Sequence, residues 1–302
     1  MLNLNEFVQE MKTRLEAKFP EATIKESLVK KANGIELISL SVHRDGQMVA
    51  PNLYVNDGYE RYTQGVDLSD IADRFVESIN TAIDGIQEIP SADEFLCKEK
   101  VYGEVMNRDS NEEYLSDKPH RDLIGDITLI YRLLVSKDNQ GVASVAITND
   151  LAETLGVTEE ELFDLAVTQT KELFPPMIQN LADMFAQMGV PIPGDEAPLL
   201  ILTNTDCQKG AHVLLYPELF KDLSEGDLII MPSSVHEVLA LPVEDGVTPE
   251  DAASMVNDIN GGVVDVRDRL SNSVFIYRKE TGEIEVAIEG KAGIGNDVYR
   301  AA

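Results

Sequence analysis

The chain has no tryptophan, two cysteines in 302 residues, four histidines, and fewer than half as many basic as acidic side chains. Cys97 and Cys207 lie far apart, which excludes a disulfide scaffold and any local Cys-x-x-Cys pair. His43, His120, His212 and His236 include no pair at ligand spacing and no His-Glu-x-x-His, so no metal site is expected. Long apolar runs are also missing: no window reaches the roughly 18 uncharged residues of a spanning helix. The opening MLNLNEFVQEMKTRLEAKF is broken by charge every few residues and lacks a signal-peptide core. Together with the isolated thiols, this predicts a cytoplasmic protein with no membrane partner. No Gly-x-x-x-x-Gly-Lys-Ser/Thr is present, and no Gly-x-Gly-x-x-Gly follows a strand, so no cofactor is expected.

Acid is what the chain has in excess. Asp and Glu number 54 against 25 Lys and Arg, a net charge of −29. Residues 1–100, 101–200 and 201–302 each hold 18 acids, against 11, 6 and 8 bases. The charge therefore belongs to the whole chain and not to a tail. Such a field repels phosphate backbones, so direct nucleic-acid binding is not expected. The partners it fits are a basic protein or a nucleic-acid-processing enzyme. Hydrophobic residues at 43% are enough for a core, which nine Phe and nine Tyr leave mainly aliphatic.

Periodicity predicts a first helix over 4–18, with Asn3 and Glu6 as a capping box. Strands follow at 22–29 and 35–43 around Asn33-Gly34, then a short strand at 52–55 and a helix over 68–86 capped by Asp67 or Ser69. A hairpin is predicted from 125–136 and 141–148. Thr158 opens a helix ending near Phe174, and Pro175-Pro176 begins another that carries Met177, Leu181, Met184, Phe185 and Met188. Strands are expected at 199–203, 211–215, 227–231 and 236–241, the last two joined by a tight Pro232-Ser233-Ser234 hairpin. Thr248 and Pro249 open a helix closed by Gly261-Gly262, and a final hairpin joins 273–278 to 283–289. Hairpins between amphipathic helices predict an α+β fold of mainly antiparallel sheets in two subdomains. The divisions read from composition are 1–118, 119–190, 199–290 and a loosely ordered tail at 291–302, with a linker over 189–198.

Several short blocks occur in an order that resembles a bacterial family, domain of unknown function 5688. They are Tyr59-Glu60-Arg61-Tyr62, Pro119-His120-Arg121, Ile147-Thr148-Asn149, Leu202-Thr203-Asn204, Gly210-Ala211, Leu215-Tyr216-Pro217, Pro232 through Leu239, Asn257, and Leu270-Ser271 through Tyr277-Arg278. The resemblance covers roughly residues 5–285. It implies the segment order and cytoplasmic proteins of gut anaerobes, often in mobile-element settings. It implies no activity, cofactor or catalytic residue.

Two polar groups are candidate ligand or interaction sites. Ser233, Ser234, His236 and Glu237 contain a hydroxyl, an imidazole and a carboxylate, the groups of acyl transfer. There is no Gly-x-Ser-x-Gly elbow, and a turn whose serines bond the local backbone explains the same residues. Tyr59, Arg61, Tyr62, His120 and Arg121 form the other group. The arginines either bind an anionic ligand or pair with carboxylates and position the 68–86 helix, and pairing is the expected role in so acidic a chain. The sequence thus favours a non-catalytic protein-binding or accessory factor. The alternatives are a nucleic-acid mimic that inhibits a DNA- or RNA-processing enzyme, and an enzyme built around His236.

Overall fold

The computed structural model describes residues 1–44, 50–86, 96–138, 141–183, 199–243 and 246–290. The expected linker at 189–198, the tail at 291–302 and the segment Met184–Met188 lie outside them. Among the described residues, thirteen strands form three sheets, every pairing antiparallel, with helices between them, so the fold is α+β. The chain divides into two compact units, Met1–Ser91 and Ala92–Asn296.

In the first unit, helix α1 (Leu4–Lys18) starts where the sequence says it should. The Asn3 side chain accepts the Glu6 N–H at 3.0 Å, and the Glu6 carboxylate accepts the Asn3 N–H at 2.9 Å. Its buried stripe is Phe7, Val8, Met11 and Leu15. Strands β1 (Ala22–Lys30) and β2 (Glu36–Arg44) meet at a turn in which Asn33 takes φ 59°. Strand β3 (Asn52–Tyr54), helix α2 (Asn56–Thr63) and helix α3 (Leu68–Ile86) follow, with Asp67 accepting the Ser69 N–H at 2.7 Å. Leu40 and Val42 of β2 join the α1 stripe and Ile71, Phe75 and Ile79 of α3 in one core.

The second unit contains the other two sheets. Strands β4 (Val101–Asn107), β5 (His120–Ile124), β6 (Ile127–Asp138) and β7 (Gly141–Ala146) form one, centred on the long β6. β4 lies on one side of β6, and β5 and β7 share the other. A single helical turn, α4 (Glu112–Leu115), precedes β5; α5 (Asn149–Leu155) and α6 (Glu159–Leu173) follow β7. The α6 helix opens with the expected Thr158–Glu161 capping box, which also sets three glutamates against the positive end of its dipole.

The remaining sheet runs β13-β12-β10-β11-β9-β8. Its strands are β8 (Pro176–Asn180), β9 (Leu200–Asn204), β10 (Leu228–Met231), β11 (Val238–Pro242), β12 (Val274–Arg278) and β13 (Glu283–Ile288). β10 is buried on both faces, as its unbroken Leu-Ile-Ile-Met run requires. Leu228 and Ile230 join a core shared with the β6 sheet and α6, whereas Ile229 and Met231 pack under helix α7 (Pro249–Gly262). Burying each such side chain contributes about 1.5–3 kcal/mol.

Three local expectations are corrected. Residues 176–180 are strand β8, not helix: Pro175 accepts the Thr205 N–H, and the segment completes the sheet beside β9. Residues Gly210–Leu215 form a 3₁₀ turn, not a strand. Gly210 through Leu214 are all buried, so no alternation was available to separate the two forms. The connection between β10 and β11 is the six-residue loop 232–237, not a tight hairpin.

Candidate functional site

Tyr59, Arg61 and Tyr62 sit on α2 in the first unit. The Tyr59 hydroxyl donates to the Leu2 carbonyl at 3.4 Å, and the Leu2 N–H donates to the Tyr62 hydroxyl at 3.0 Å. Both rings lie against Phe7, with centroids at 5.4 and 5.5 Å. The two tyrosines therefore hold the start of α1. Arg61 is exposed, and no carboxylate partner for it is seen among the described residues. Among the described residues the expected ion pair at Arg61 is not formed.

Arg121 belongs to the second unit and does have its carboxylate, on α6, so the pair fixes α6 where the sequence was read as using it to position the 68–86 helix. Its Nε and Nη2 donate to the two oxygens of Glu159 at 3.0 and 2.7 Å, while the guanidinium lies 4.0 Å from the centre of the Phe163 ring. The Tyr131 hydroxyl also donates to Glu159. Burial opposes the Glu159 charge, but the bonds from Arg121 and Tyr131 outweigh it and hold the carboxyl below its ordinary range. Burial, then the bond to Glu159, pushes the Tyr131 phenol far up. The triad joins β5, β6 and α6, and Glu159 balances the Arg121 charge. His120 is exposed, with Nδ1 2.9 Å from the Lys118 carbonyl.

The second candidate group lies where three loops of the second unit converge. Ser234 Oγ accepts the backbone N–H of His236 at 3.0 Å, a local turn that does not direct the hydroxyl to the imidazole. The ring of His236 is engaged elsewhere. Its Nδ1 accepts the Lys209 N–H at 3.2 Å, which fixes the tautomer protonated on Nε2, and Nε2 faces Asp268 Oδ1 at 3.1 Å. The His236 carbonyl accepts from Gly210 N–H at 3.0 Å and Thr203 Oγ at 2.7 Å. Ser233 is buried, and its carbonyl accepts the Leu270 N–H. Glu237 is half-buried beside them. The serines thus shape the loop, and neither faces a free ring nitrogen of His236.

Lys209 is the unusual member of this corner. It takes the left-handed conformation at φ 54°, as does Cys207 two residues earlier. Its carbonyl lies 3.0 Å from Nδ1 of His212, whose Nε2 is 3.2 Å from the Phe174 carbonyl. His212 is 2% exposed, and burial pushes its pKa down against the pull of those two carbonyls. The Lys209 ammonium reaches Glu104 at 3.5 Å, which also pairs with Arg132 at 3.2 Å. Gly210 is obligatory here: a β-carbon would stand 2.6 Å from the His236 carbonyl and 2.7 Å from the Asn204 nitrogen.

Sequence reasoning missed one polar centre altogether. Asp126, in the turn before β6, accepts from Ser271 Oγ at 2.7 Å and Ser273 Oγ at 3.1 Å through one oxygen, and from Asn107 Nδ2 at 2.6 Å through the other. It binds the β4–β6 sheet to the start of β12. Among the described residues no cluster of three or more His, Cys, Asp or Glu could hold a metal, and no helix is long and apolar enough to cross a membrane.

A model of the family of unknown function DUF5688 matches residues 4–279. The chain belongs to that family. The matched span runs from α1 through β12, across both units. No curated protein and no solved structure matches the chain. Within this DUF5688 protein, the blocks Leu202–Asn204, Gly210-Ala211 and Pro232–Leu239 meet at the Lys209–His236 corner, whose contacts are described above.

Proposed function

We propose that this DUF5688 protein is a non-catalytic accessory factor that holds a basic, extended segment of another protein along β7. The observation that supports the reading is the character of that edge. Exposed sheet edges invite strand addition, and proteins blunt them with charge, proline or shortness. Lys25, Glu26 and Lys30 do so on β1, Arg121 and Asp122 on β5, and Glu283 and Glu285 on β13; β3 is three residues long, and β8 begins at Pro176. β7 is Gly-Val-Ala-Ser-Val-Ala, with no charge, and its Val142 and Val145 are 40% and 36% exposed. The Ile147 N–H donates to Tyr131 O at 2.8 Å, so antiparallel alternation turns the amides of Ala146 and Ser144 away from β6. The net charge of −29 adds long-range attraction for a basic segment.

The groups an enzyme would need argue the same way. The Ser234 hydroxyl and both His236 ring nitrogens already have structural partners. Affinity capture from native lysate, at low and high salt, tests the reading. Wild type retains a partner that salt releases, Val142→Lys loses it, and Val263→Lys, at a site 81% exposed on another element, keeps it. Equal retention by Val142→Lys would remove β7 from the account. If what both retain is a nucleic-acid enzyme, phosphate mimicry becomes the better reading.

A further inference from the structure

Lys209 is gripped at both ends of its backbone by imidazoles with opposite proton requirements. Its N–H donates to His236 Nδ1 at 3.2 Å, a bond that exists only while that nitrogen carries a lone pair. Its carbonyl faces His212 Nδ1 at 3.0 Å, and the other nitrogen of His212 faces the Phe174 carbonyl at 3.2 Å. A neutral His212 donates to one of those carbonyls, and only the imidazolium donates to both. The residue so held is one of two non-glycine left-handed positions within three residues, a conformation that persists only where its surroundings impose it.

The two rings differ in access. His212 is 2% exposed, whereas the His236 side chain is 29% exposed and faces Asp268 at 3.1 Å. The charged groups around the clasp are few. Asp268 faces His236 from the loop before β12, with Arg269, whose Nε bonds the Val264 carbonyl, and Glu237 adjacent in sequence. The Lys209 ammonium is turned to Glu104 of β4, which Arg132 of β6 shares. On the far side, Lys137 of β6 pairs with Asp206 of the loop at 2.7 Å and lies 4.5 Å from the Phe174 ring, and Lys171 of α6 lies over Tyr216. β9 contributes neutral groups, Thr203 and Asn204, to the same corner.

We propose that His236 is an acid-sensitive latch on Lys209: a proton gained at Nδ1 turns the acceptor of the Lys209 N–H into a donor, breaks that bond and releases Lys209 from its imposed conformation. The proton comes from solvent and stays on the imidazole, where the Asp268 carboxylate balances it. Gly210 stays fixed, because its N–H bonds the backbone carbonyl of His236 and not the ring. Acid therefore frees the Lys209 backbone alone, while Asn204 keeps the preceding arc in place: its carbonyl accepts the Cys207 N–H at 3.0 Å, and its side chain bonds the Gln208 carbonyl at 2.8 Å and the Asp206 N–H at 3.0 Å.

Amide exchange of Lys209, corrected for the intrinsic pH dependence of exchange, tests the latch directly in the full chain. Protection falls about tenfold between pH 7.5 and 5.5 in wild type, the worth of one hydrogen bond. It stays flat in His236→Gln, whose amide oxygen accepts the Lys209 N–H at any pH. Asp268→Asn keeps a hydrogen-bond partner for Nε2 but removes the balancing charge, so the midpoint moves to lower pH. A flat wild-type profile, a fall that persists in His236→Gln, or an unmoved midpoint in Asp268→Asn overturns the proposal. If His236→Gln does not fold, the Asp268→Asn midpoint decides.

Discussion

Replacing Asp126 by alanine removes the acceptor of three buried donors at once. Ser271 is 0% exposed, and Ser273 and Asn107 are each 3% exposed, so water cannot replace it without opening the structure. The serines have no second acceptor at hand: Ser271 Oγ already accepts the Ser273 N–H, and Ser273 Oγ accepts the Gly290 N–H. Asn107 cannot turn over freely either, since its Oδ1 holds both the N–H and the hydroxyl of Ser110 at 2.9 Å. Each stranded donor costs about 1–3 kcal/mol, and because the three share one centre their sum is an upper bound. The expected loss for Asp126→Ala is about 4 kcal/mol. Asp126→Asn keeps the oxygen that serves the serines but sets its amide against the Asn107 amide, so about 2 kcal/mol is expected. Urea unfolding, followed by hydrogen exchange in β6 and β12 peptides, reports this unit separately from the first. On a Ser271→Ala, Ser273→Ala background, the Asp126→Ala loss should shrink by half or more. A loss below about 1 kcal/mol, or equal losses for Asn and Ala, would refute the reasoning.

Arg121→Lys cannot reproduce the two-pronged bond to Glu159 or the stacking on Phe163, and it should destabilise the second unit by about 1–2 kcal/mol in the same unfolding assay. Gly210→Ala drives a methyl into two backbone atoms and should cost about 3 kcal/mol, seen as a lowered midpoint of thermal unfolding. His212 is buried with its pKa below the ordinary 6.5. Its contribution to stability is therefore present above 6.5 and lost as pH falls from there toward the lower folded value, because the unfolded chain takes up the proton first. Below pH 6.5 wild type should lose up to about 1.4 kcal/mol per pH unit more than His212→Gln, and parallel stability profiles would contradict this.

The parts of the fold that could be read in the sequence are those set by neighbouring residues. Asn3 with Glu6, Thr158 with Glu161, and Thr248 with Pro249 opened α1, α6 and α7 at the expected positions, because a cap is a contact over three residues. Asn33-Gly34 placed the first hairpin for the same reason. The helix expected from Pro176 begins only at Leu181: Met177 misled because residues 176–180 pair with β9, a partner twenty or more residues away. The site followed the same division. The Ser234 hydroxyl bonds the local backbone, a contact over two residues. Glu159 as the partner of Arg121, Lys209 as the partner of His236, and Asp126 as the partner of Ser271 are separated by 38, 27 and 145 residues, with no local pattern to announce them. The one hint was compositional: an arginine in a chain this acidic was expected to have a carboxylate, and Arg121 does.

The central claim is that β7 pairs with an extended basic segment. Its most direct test is residue-resolved amide exchange with and without a synthetic peptide of alternating lysine and valine. The account predicts new protection at the outward amides of Ser144 and Ala146, absent in Val142→Lys. Protection elsewhere on the chain with none in β7 would contradict it.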